Sequence, residues 1–373
     1  MDLKDDNKLI GLIIVIVIII ASVSVYQFTK EDDDEEKETI KIGAIISQTG
    51  PGATLGNDML KGMQLGVLDV NNDGGVNGRK IELILKDSET NADVAVNCFQ
   101  EIETDHQPIA YVSLLSSISI ALGPLAEQNE VTLMAGIATA PAVTVNAPWT
   151  YRYWPISTIE APPVLGILED EGAMNISVLY VDDDFGKSMN NYTKDVWTKG
   201  NVTGVPFSIG TSNFSTHIED IMDTDAVYII CFDSHLFNIL PQLNQANYTG
   251  VIACNNAVST PESRTIADAE GVFTSAPAIY NPNFVFASAI SQEFEAYAGI
   301  QFNHYHANGY DMILMIAGLL NGNEISRENL KAQLDAGFIH PGVFGDVSVQ
   351  PGEHDINFPV FSARIENGEV VYL

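Results

Sequence analysis

The sequence predicts an α/β protein with two lobes, each a doubly wound parallel sheet with helices on both faces. Three observations lead to this prediction. Short apolar segments typical of buried parallel strands alternate with segments of helical periodicity. The pattern starts again after Pro162 and Pro163, which separate two similar halves. A chain of 373 residues is long enough to build a core in each half.

The predicted elements follow this alternation in chain order. The first half contains predicted strands over residues 40–46, 80–86, 109–112, 131–134 and 152–156, and helices over residues 58–71 and 93–104. The second half contains predicted strands over residues 176–181, 226–231, 251–254 and 271–275, and helices over residues 164–171, 188–199 and 237–246. The chain closes with predicted helices over residues 281–298, 305–320 and 327–336, and strands over residues 343–349 and 358–365.

The N-terminal segment is predicted to anchor the protein in the cell membrane. Residues 9–29 carry no charge and are rich in Ile, Val and Leu, which suits a transmembrane helix of about 20 residues. The short head over residues 1–8 is then cytoplasmic, and the acidic residues 30–39 form a solvated linker to a domain outside the cell. A cleaved signal peptide is the alternative, because the small residues Ala21 and Ser22 follow the apolar core.

Charge and composition limit the partners of this protein. The formal net charge of −32 disfavours binding to nucleic acid or to anionic lipid, so neither is predicted as a partner. Five Asn-X-Ser/Thr sequons between residues 175 and 249 agree with a glycosylated domain outside the cell. Cys231 and Cys254 end successive predicted strands, and they could form a disulfide or stay buried as free thiols.

Two hydroxyl-bearing segments are the strongest candidates for a binding site. Ser116 and Ser117 follow the predicted strand 109–112, and Thr139 follows the predicted strand 131–134. Ligands of open α/β sheets bind beyond the carboxyl ends of the strands, where hydroxyls and a helix N-terminus can hold a small anion. The alternative is that these residues only cap helices and turns.

Motifs for catalysis or cofactor binding are incomplete. The glycines from Gly50 to Gly56 have the wrong spacing for a dinucleotide fingerprint, and Pro51 removes an amide donor. A calcium-like loop that begins at Asp69 has Lys80 at its twelfth position, where a bidentate glutamate is needed. The sequence contains no Gly-X-Ser-X-Gly elbow and no spacing typical of metal ligands or of a nucleophile with its base. It therefore predicts no enzymatic activity, no cofactor and no metal site.

Several motifs resemble those of one family of binding proteins. They are Ile42-Gly43-Ala44, Thr49-Gly50-Pro51, Asp69-Val70-Asn71, Gly74-Gly75-Val76-Asn77-Gly78-Arg79 and Ala138-Thr139-Ala140-Pro141. From residue 40 to its end, the sequence resembles the type I solute-binding proteins of ABC transporters, in the branched-chain amino-acid (leucine/isoleucine/valine) group. The resemblance implies the type I periplasmic-binding-protein fold, in which two Rossmann-like lobes are joined by three hinge strands. It implies a first lobe over residues 40–158 and 282–338, and a second over residues 159–281 and 339–373.

The resemblance also implies a ligand site and partners. The implied ligand-binding residues are Leu55, Ser116, Ser117, Ala138, Thr139, Phe185, Phe232 and Asn255. A small organic solute, such as an amino acid, an amide or a carboxylate, would be captured in the cleft and delivered to ABC permease subunits in the membrane. A ligand sensor for a membrane signalling partner is the alternative function. Phe185 and Phe232 could instead belong to the core, since Phe is mostly buried.

Two departures from the family bear on the ligand. Asn255 and Ser157 stand where amino-acid binders of this family carry acidic residues near the ligand ammonium. Because an isolated buried charge is very costly, the sequence predicts weak or absent binding of leucine, isoleucine and valine. It favours a ligand with a carboxylate or amide head and a neutral polar group facing Asn255. Asp184 and Asp233 are the neighbouring acids that could replace the missing charge.

Overall fold

The computed structural model describes residues 38–373 of the chain. The predicted head over residues 1–8, the predicted membrane span over residues 9–29 and most of the acidic linker over residues 30–39 lie outside the described residues. Within residues 38–373, no helix has both the length and the apolar character needed to cross a membrane.

A parallel sheet forms the centre of the first lobe. Its strands are β1 (Ile40–Ile46), β2 (Ile81–Asp87), β3 (Ala110–Leu114), β4 (Thr132–Gly136), β5 (Thr150–Tyr153) and β13 (Asp355–Ile356). They lie in the order β13-β5-β4-β3-β1-β2, and every neighbouring pair is parallel. The winding changes direction between β1 and β3, and such a switch point leaves a crevice at the carboxyl ends of the strands.

The second lobe repeats this winding around a sheet of its own. Its strands are β6 (Ile176–Val181), β7 (Val202–Phe207), β8 (Ala226–Ile230), β9 (Val251–Cys254), β10 (Phe273–Pro277), β14 (Val360–Glu366) and β15 (Glu369–Tyr372). The order is β15-β14-β10-β9-β8-β6-β7, with β6 to β10 parallel and the last two strands antiparallel. A small antiparallel hairpin contains β11 (Phe338–Gly342) and β12 (Gly345–Val349).

Helices cover both sheets. They are α1 (Ala53–Asn72), α2 (Ala92–His106), α3 (Ser116–Gln128), α4 (Ser157–Asp170), α5 (Asp184–Val196), α6 (Ser215–Glu219), α7 (Asp233–Gln245), α8 (Pro261–Arg264), α9 (Val285–Ala298), α10 (His304–Leu320) and α11 (Arg327–Asp335). α10 packs along α1 at very close range. A Cβ atom at Gly62 would lie 1.9 Å from the carbonyl oxygen of His306, and one at Gly309 would lie 2.0 Å from that of Met59. Glycine at both positions lets the two backbones meet.

The chain passes between the two sheets three times, after β5, β10 and β13. The first and third crossings contact each other directly. The rings of Trp154 and Phe358 meet edge to face with centroids 5.5 Å apart, and the Ile156 N–H donates to Asn357 Oδ1 at 3.0 Å. Aromatic packing and a hydrogen bond therefore couple two of the three hinge segments.

Some predicted elements differ from the structure. Residues 339–373 were all assigned to the second lobe, but β13 pairs with β5 in the first sheet before the chain crosses over. Helix α4 begins at Ser157 rather than at residue 164, and it contains Pro162 and Pro163. Proline is expected to end a helix because it lacks an N–H donor, so the prediction missed the first turns of α4. Strands β7, β13 and β15 were also not predicted.

Candidate ligand-binding site

A narrow cavity of about 20 Å³ lies between the lobes, at the carboxyl ends of the parallel strands of both sheets. The first lobe contributes the start of α1 and the loops after β3 and β4, and the second contributes residues that follow β6, β8 and β9. A molecule in this cavity would therefore contact both lobes. The lining residues are Leu55, Leu115, Ile137, Thr139, Trp154, Glu160, Phe185, Cys231, Phe232, Asn255, Asn256 and Tyr305.

Most of the predicted site residues line this cavity. They are Leu55, Thr139, Phe185, Phe232 and Asn255. Ser116 lies behind the wall, where its buried Oγ accepts a hydrogen bond from the N–H of Ala140 at 3.1 Å. Ser117 lines a more open part of the cleft, and Ala138 is buried with its carbonyl facing Arg152. The ligand-binding role of all eight residues stays a prediction.

A buried guanidinium holds the loop after β4. Arg152 in β5 donates from Nη1 to the carbonyl of Ala138 at 3.0 Å and to that of Ala140 at 2.9 Å. Its Nε donates to the carboxylate of Asp355 in β13 at 2.9 Å, which compensates the buried positive charge. Ala138 and Ser116 thus shape the backbone around Thr139, although neither lines the cavity.

Two apolar residues of the cavity wall have unfavourable backbone conformations. Leu115 directly follows β3 and has a φ of 70°, and Ile137 directly follows β4 and has a φ of 48°. Left-handed backbone is strained for large or β-branched side chains, and such strain clusters at functional sites. The backbone therefore favours a binding site at these two strand ends independently of the side chains.

Aromatic rings form much of the wall. The rings of Phe185 and Phe232 are nearly parallel, at 8°, with centroids 6.2 Å apart. Trp154 and Tyr305 form a second stacked pair, with centroids 6.1 Å apart. The hydroxyl of Tyr305 donates to Asp233 Oδ1 at 2.8 Å, so the polar end of this ring is already satisfied. These surfaces suit an apolar group of a small ligand.

Glu160, in the first turns of α4, is the cavity residue that the sequence analysis missed. The side chain is buried, and its Oε2 accepts a hydrogen bond from the Thr139 hydroxyl at 3.0 Å. Its Oε1 is buried and has no hydrogen-bond partner among the described residues. Burial raises the pKa of the Glu160 carboxyl to about 7, although hydrogen bonds from Thr139 and the Asn256 backbone oppose the shift. An acid one helical turn after Ser157, within an apolar segment, is the signal that could have identified it.

The acids that the sequence proposed as substitutes do not line the cavity. Asp184 is exposed, and Asp233 is buried beneath Tyr305, where burial raises the pKa of its carboxyl to about 7. The Oδ1 of Asn255 accepts a hydrogen bond from the N–H of Cys231 at 3.1 Å, so the protein itself uses this acceptor. The prediction of weak leucine, isoleucine and valine binding assumed that the cleft contains no acidic side chain. Glu160 lines the cavity, so this assumption is wrong.

The two cysteines considered as a possible disulfide are both buried free thiols, and Cys231 lines the cavity. Burial and a hydrogen bond with Cys254 raise the pKa of the Cys231 thiol well above its usual value. The Cys231 thiol is therefore uncharged at neutral pH. The Glu160 carboxyl is thus the one acidic side chain in the cavity lining that titrates near neutrality.

Comparison with known proteins agrees with this architecture. The family model described as "Periplasmic binding protein" matches residues 39–369. The chain is 26% identical over 239 residues to the chemotactic signal transduction system substrate-binding protein BasB of Halobacterium salinarum. That alignment covers 61% of this chain and 58% of BasB, so the chain matches less than two thirds of this relative's length. It is also 24% identical to the Leu/Ile/Val-binding protein of Escherichia coli, over 65% of this chain and 69% of that protein.

A solved structure shows the same fold. The branched-chain amino acid transporter substrate binding protein LivJ from Streptococcus pneumoniae, in complex with isoleucine, superimposes with a TM-score of 0.82. The match covers 89% of this chain and 98% of LivJ at 20% sequence identity. The predicted two-lobed fold and the predicted resemblance are therefore confirmed. With the family match spanning nearly all described residues, the chain belongs to the periplasmic binding protein family and has its type I fold.

Proposed function

We propose that this protein is an extracytoplasmic solute-binding protein of an ABC transporter. It captures a small organic solute, an amino acid, an amide or a carboxylate, between its lobes and delivers it to the permease. The observation that carries this proposal is the cavity itself, which is lined by apolar and polar side chains of both lobes at the switch points of two sheets. The mechanism is capture, hinge closure and docking, with no chemical step.

The relatives support this proposal by what they bind or serve. One relative is a Leu/Ile/Val-binding protein, and the LivJ structure contains isoleucine. We assign the first contacts with the ligand to Leu55, Thr139, Phe185, Phe232 and Asn255, with Ser117 in the outer cleft and Ser116 and Ala138 shaping the loops.

A thermal-shift screen tests solute binding. The full-length protein, in mild detergent, is heated with amino acids, amides, short carboxylates and urea at low concentration. A ligand at about 100 times its dissociation constant stabilises the native state by about 2.7 kcal/mol and raises the melting temperature. No shift with any compound would contradict the proposed function.

We further propose that residues 9–29 anchor the protein in the membrane, with the binding domain outside the cell and residues 30–39 as a spacer. The uncharged, Ile- and Val-rich composition of residues 9–29 supports this topology. Protease added to intact cells should remove the domain from the cell surface. A protected domain would contradict the topology, and a soluble mature product that begins near Val25 would contradict the anchor.

A ligand sensor for a membrane signalling partner is the second candidate function. The relative BasB, a substrate-binding protein of a chemotactic signal transduction system, favours it. Deletion of the gene separates the two functions. Loss of uptake of the bound solute with normal chemotaxis supports transport, whereas lost chemotaxis towards that solute with normal uptake supports sensing.

A further inference from the structure

We propose that Asn213 carries an N-linked glycan, and that the first sugars of this glycan lie in a surface groove of the second lobe formed by α7 and the loop over residues 212–215. The inference goes beyond solute binding, because it assigns a modification site. It rests on the proposed location of the domain outside the cell, and the experiment below tests that location separately.

The five Asn-X-Ser/Thr sequons of the chain all lie in the second lobe, and the asparagine of each is exposed. A glycan-transferring enzyme also has to reach the hydroxyl residue, because both residues define the sequon. Ser177 and Thr193 are 0% exposed, so the sequons that begin at Asn175 and Asn191 are hidden in the folded domain. Ser215 is exposed, and the sequon that begins at Asn213 is therefore accessible at both ends.

The side chain of Asn213 is held by its oxygen and can react through its nitrogen. Its Oδ1 accepts hydrogen bonds from the Ser215 hydroxyl at 2.6 Å and from the Ser215 N–H at 3.0 Å. In the transfer, Nδ2 bonds to the anomeric carbon of a glycosyl phosphate donor and loses one proton. The bond from that carbon to the phosphate oxygen breaks, and its electron pair leaves with the phosphate. Both hydrogen bonds at Oδ1 stay in place.

Gln242 of α7 fixes the loop on both sides of Asn213. Its Oε1 accepts a hydrogen bond from the N–H of Phe214 at 2.7 Å, and its Nε2 donates to the carbonyl of Ser212 at 2.8 Å. The buried ring of Phe214 packs edge to face against Phe207, with centroids 5.1 Å apart. The neighbours of Asn213 are therefore anchored, while Asn213 itself is exposed to solvent.

A groove of about 450 Å³ lies beside Asn213, and its chemistry suits a carbohydrate. Helix α7 lines it with Phe237, Asn238, Pro241, Gln242 and Gln245. All of these side chains are uncharged on a protein of net charge −32, and Phe237 is 52% exposed. The C–H face of a sugar packs on an aromatic ring, and its hydroxyls pair with side-chain amides, which both donate and accept. The groove therefore fits a neutral sugar better than an ion or an apolar partner.

Attachment at Asn213 would hold a sugar next to this groove. Asn213 is itself one of the lining residues, so the first sugars reach Phe237 and the amides without a search in solution. A linked group has a high effective concentration at its site, so contacts that are too weak for a free sugar suffice for an attached one. The covalent link and the groove thus support each other.

Glycopeptide mass spectrometry of the full-length protein, purified from the membranes of its native host, tests the modification. The sequence contains no Lys or Arg between Lys199 and Arg264, so trypsin leaves three sequons in one peptide and electron-transfer fragmentation has to locate the sugar. We expect a glycan on Asn213 and none on Asn175 or Asn191. An unmodified Asn213 would overturn the inference, and equal modification of Asn175 and Asn191 would overturn the accessibility argument behind it.

Two controls accompany this measurement. Ser215→Ala should abolish the glycan at Asn213, whereas Ser215→Thr, which keeps a hydroxyl, should retain it. Protease added to intact cells tests the location independently. An unmodified Asn213 in a domain that the protease removes would contradict the glycan alone, whereas an unmodified and protected domain would contradict the proposed location as well.

Melting temperatures test the groove. The glycosylated wild type should melt about 2 °C higher than the same chain made without glycan in a cell-free bacterial lysate with mild detergent. Phe237→Ala should remove this difference, because the sugar loses its aromatic contact. Phe361→Ala, at another exposed phenylalanine, is the matched control and should keep the difference. Equal differences in both variants would overturn the assignment of the glycan to the groove.

Discussion

The ligand-free protein should gain stability at neutral pH when Glu160 is replaced by Gln. Burial raises the pKa of Glu160 from 4.5 to about 7, because the carboxylate loses water and finds only two hydrogen-bond donors. A pKa that is higher in the folded than in the unfolded protein contributes stability at low pH. That contribution is complete below about pH 4.5 and is lost as the pH rises to about 7.

The size of the effect follows from the pKa difference. Each pKa unit corresponds to about 1.4 kcal/mol, so the shift of Glu160 is equivalent to about 3 kcal/mol. Gln has nearly the same shape and cannot ionise, so Glu160→Gln removes this pH-dependent loss. The stability of the variant relative to the wild type should therefore rise by about 3 kcal/mol between pH 4.5 and pH 8.

Urea unfolding at several pH values, followed by circular dichroism without ligand, measures this difference. Other buried acids also titrate in this range: burial raises the pKa of Asp233 to about 7 and that of Asp311 to about 6. Their contributions to the pH dependence of stability are the same in variant and wild type, so they cancel in the difference between the two. Glu171→Gln, at an exposed position just after the same helix, should follow the wild type at each pH. Parallel profiles for Glu160→Gln and the wild type would refute the reasoning, because they would mean that Glu160 ionises as readily in the folded as in the unfolded chain.

Three further predictions concern the cavity wall and the helix contact. Ser116→Ala and Thr139→Ala should each weaken ligand binding by about 0.5–1.5 kcal/mol in calorimetry and leave the fold intact; unchanged affinity in both would favour a capping role alone. Phe232→Ala should lower stability by about 3–5 kcal/mol and alter ligand selectivity in the folded fraction; unaltered selectivity would make Phe232 a core residue only. Gly62→Ala should destabilise the protein by about 3 kcal/mol or more in urea unfolding, because its Cβ would meet a backbone oxygen at 1.9 Å. Gly166→Ala, with no atom within 4 Å, is its control and should be neutral or stabilising.

Much of the fold was accessible from the sequence because the pattern is local. Residues 42–46 and Ala226–Ile230 are apolar on both faces, and only strands covered by helices on both sides of a sheet read this way. The positions of Thr139, Phe185 and Phe232 followed for the same reason. Residues just past parallel strands meet at one edge of a sheet, so their place at the cleft needs only the strand ends.

Prediction from the sequence failed where contacts with distant segments of the chain outweigh the local preferences of the residues. Pro162 and Pro163 normally end a helix, but packing of α4 against β9, β10 and β14 keeps them inside it. Strand β13 has two residues, too few for a periodic signal, and exists because β5 offers an open edge. Its Asp355 then meets Arg152, a pairing across 203 positions that no local pattern predicts.

The sequence by itself determined the two-lobed α/β fold, the edge of each sheet where a ligand would lie, and the neutral residues at Asn255 and Ser157. Only the tertiary structure decided the charge of the site. It brings Glu160 of α4 against Thr139 of the first lobe and Asn256 of the second, and leaves one carboxyl oxygen without a partner. The physical reason is that desolvation and hydrogen-bond satisfaction depend on which groups surround an atom in space. Those groups come from segments far apart in the chain.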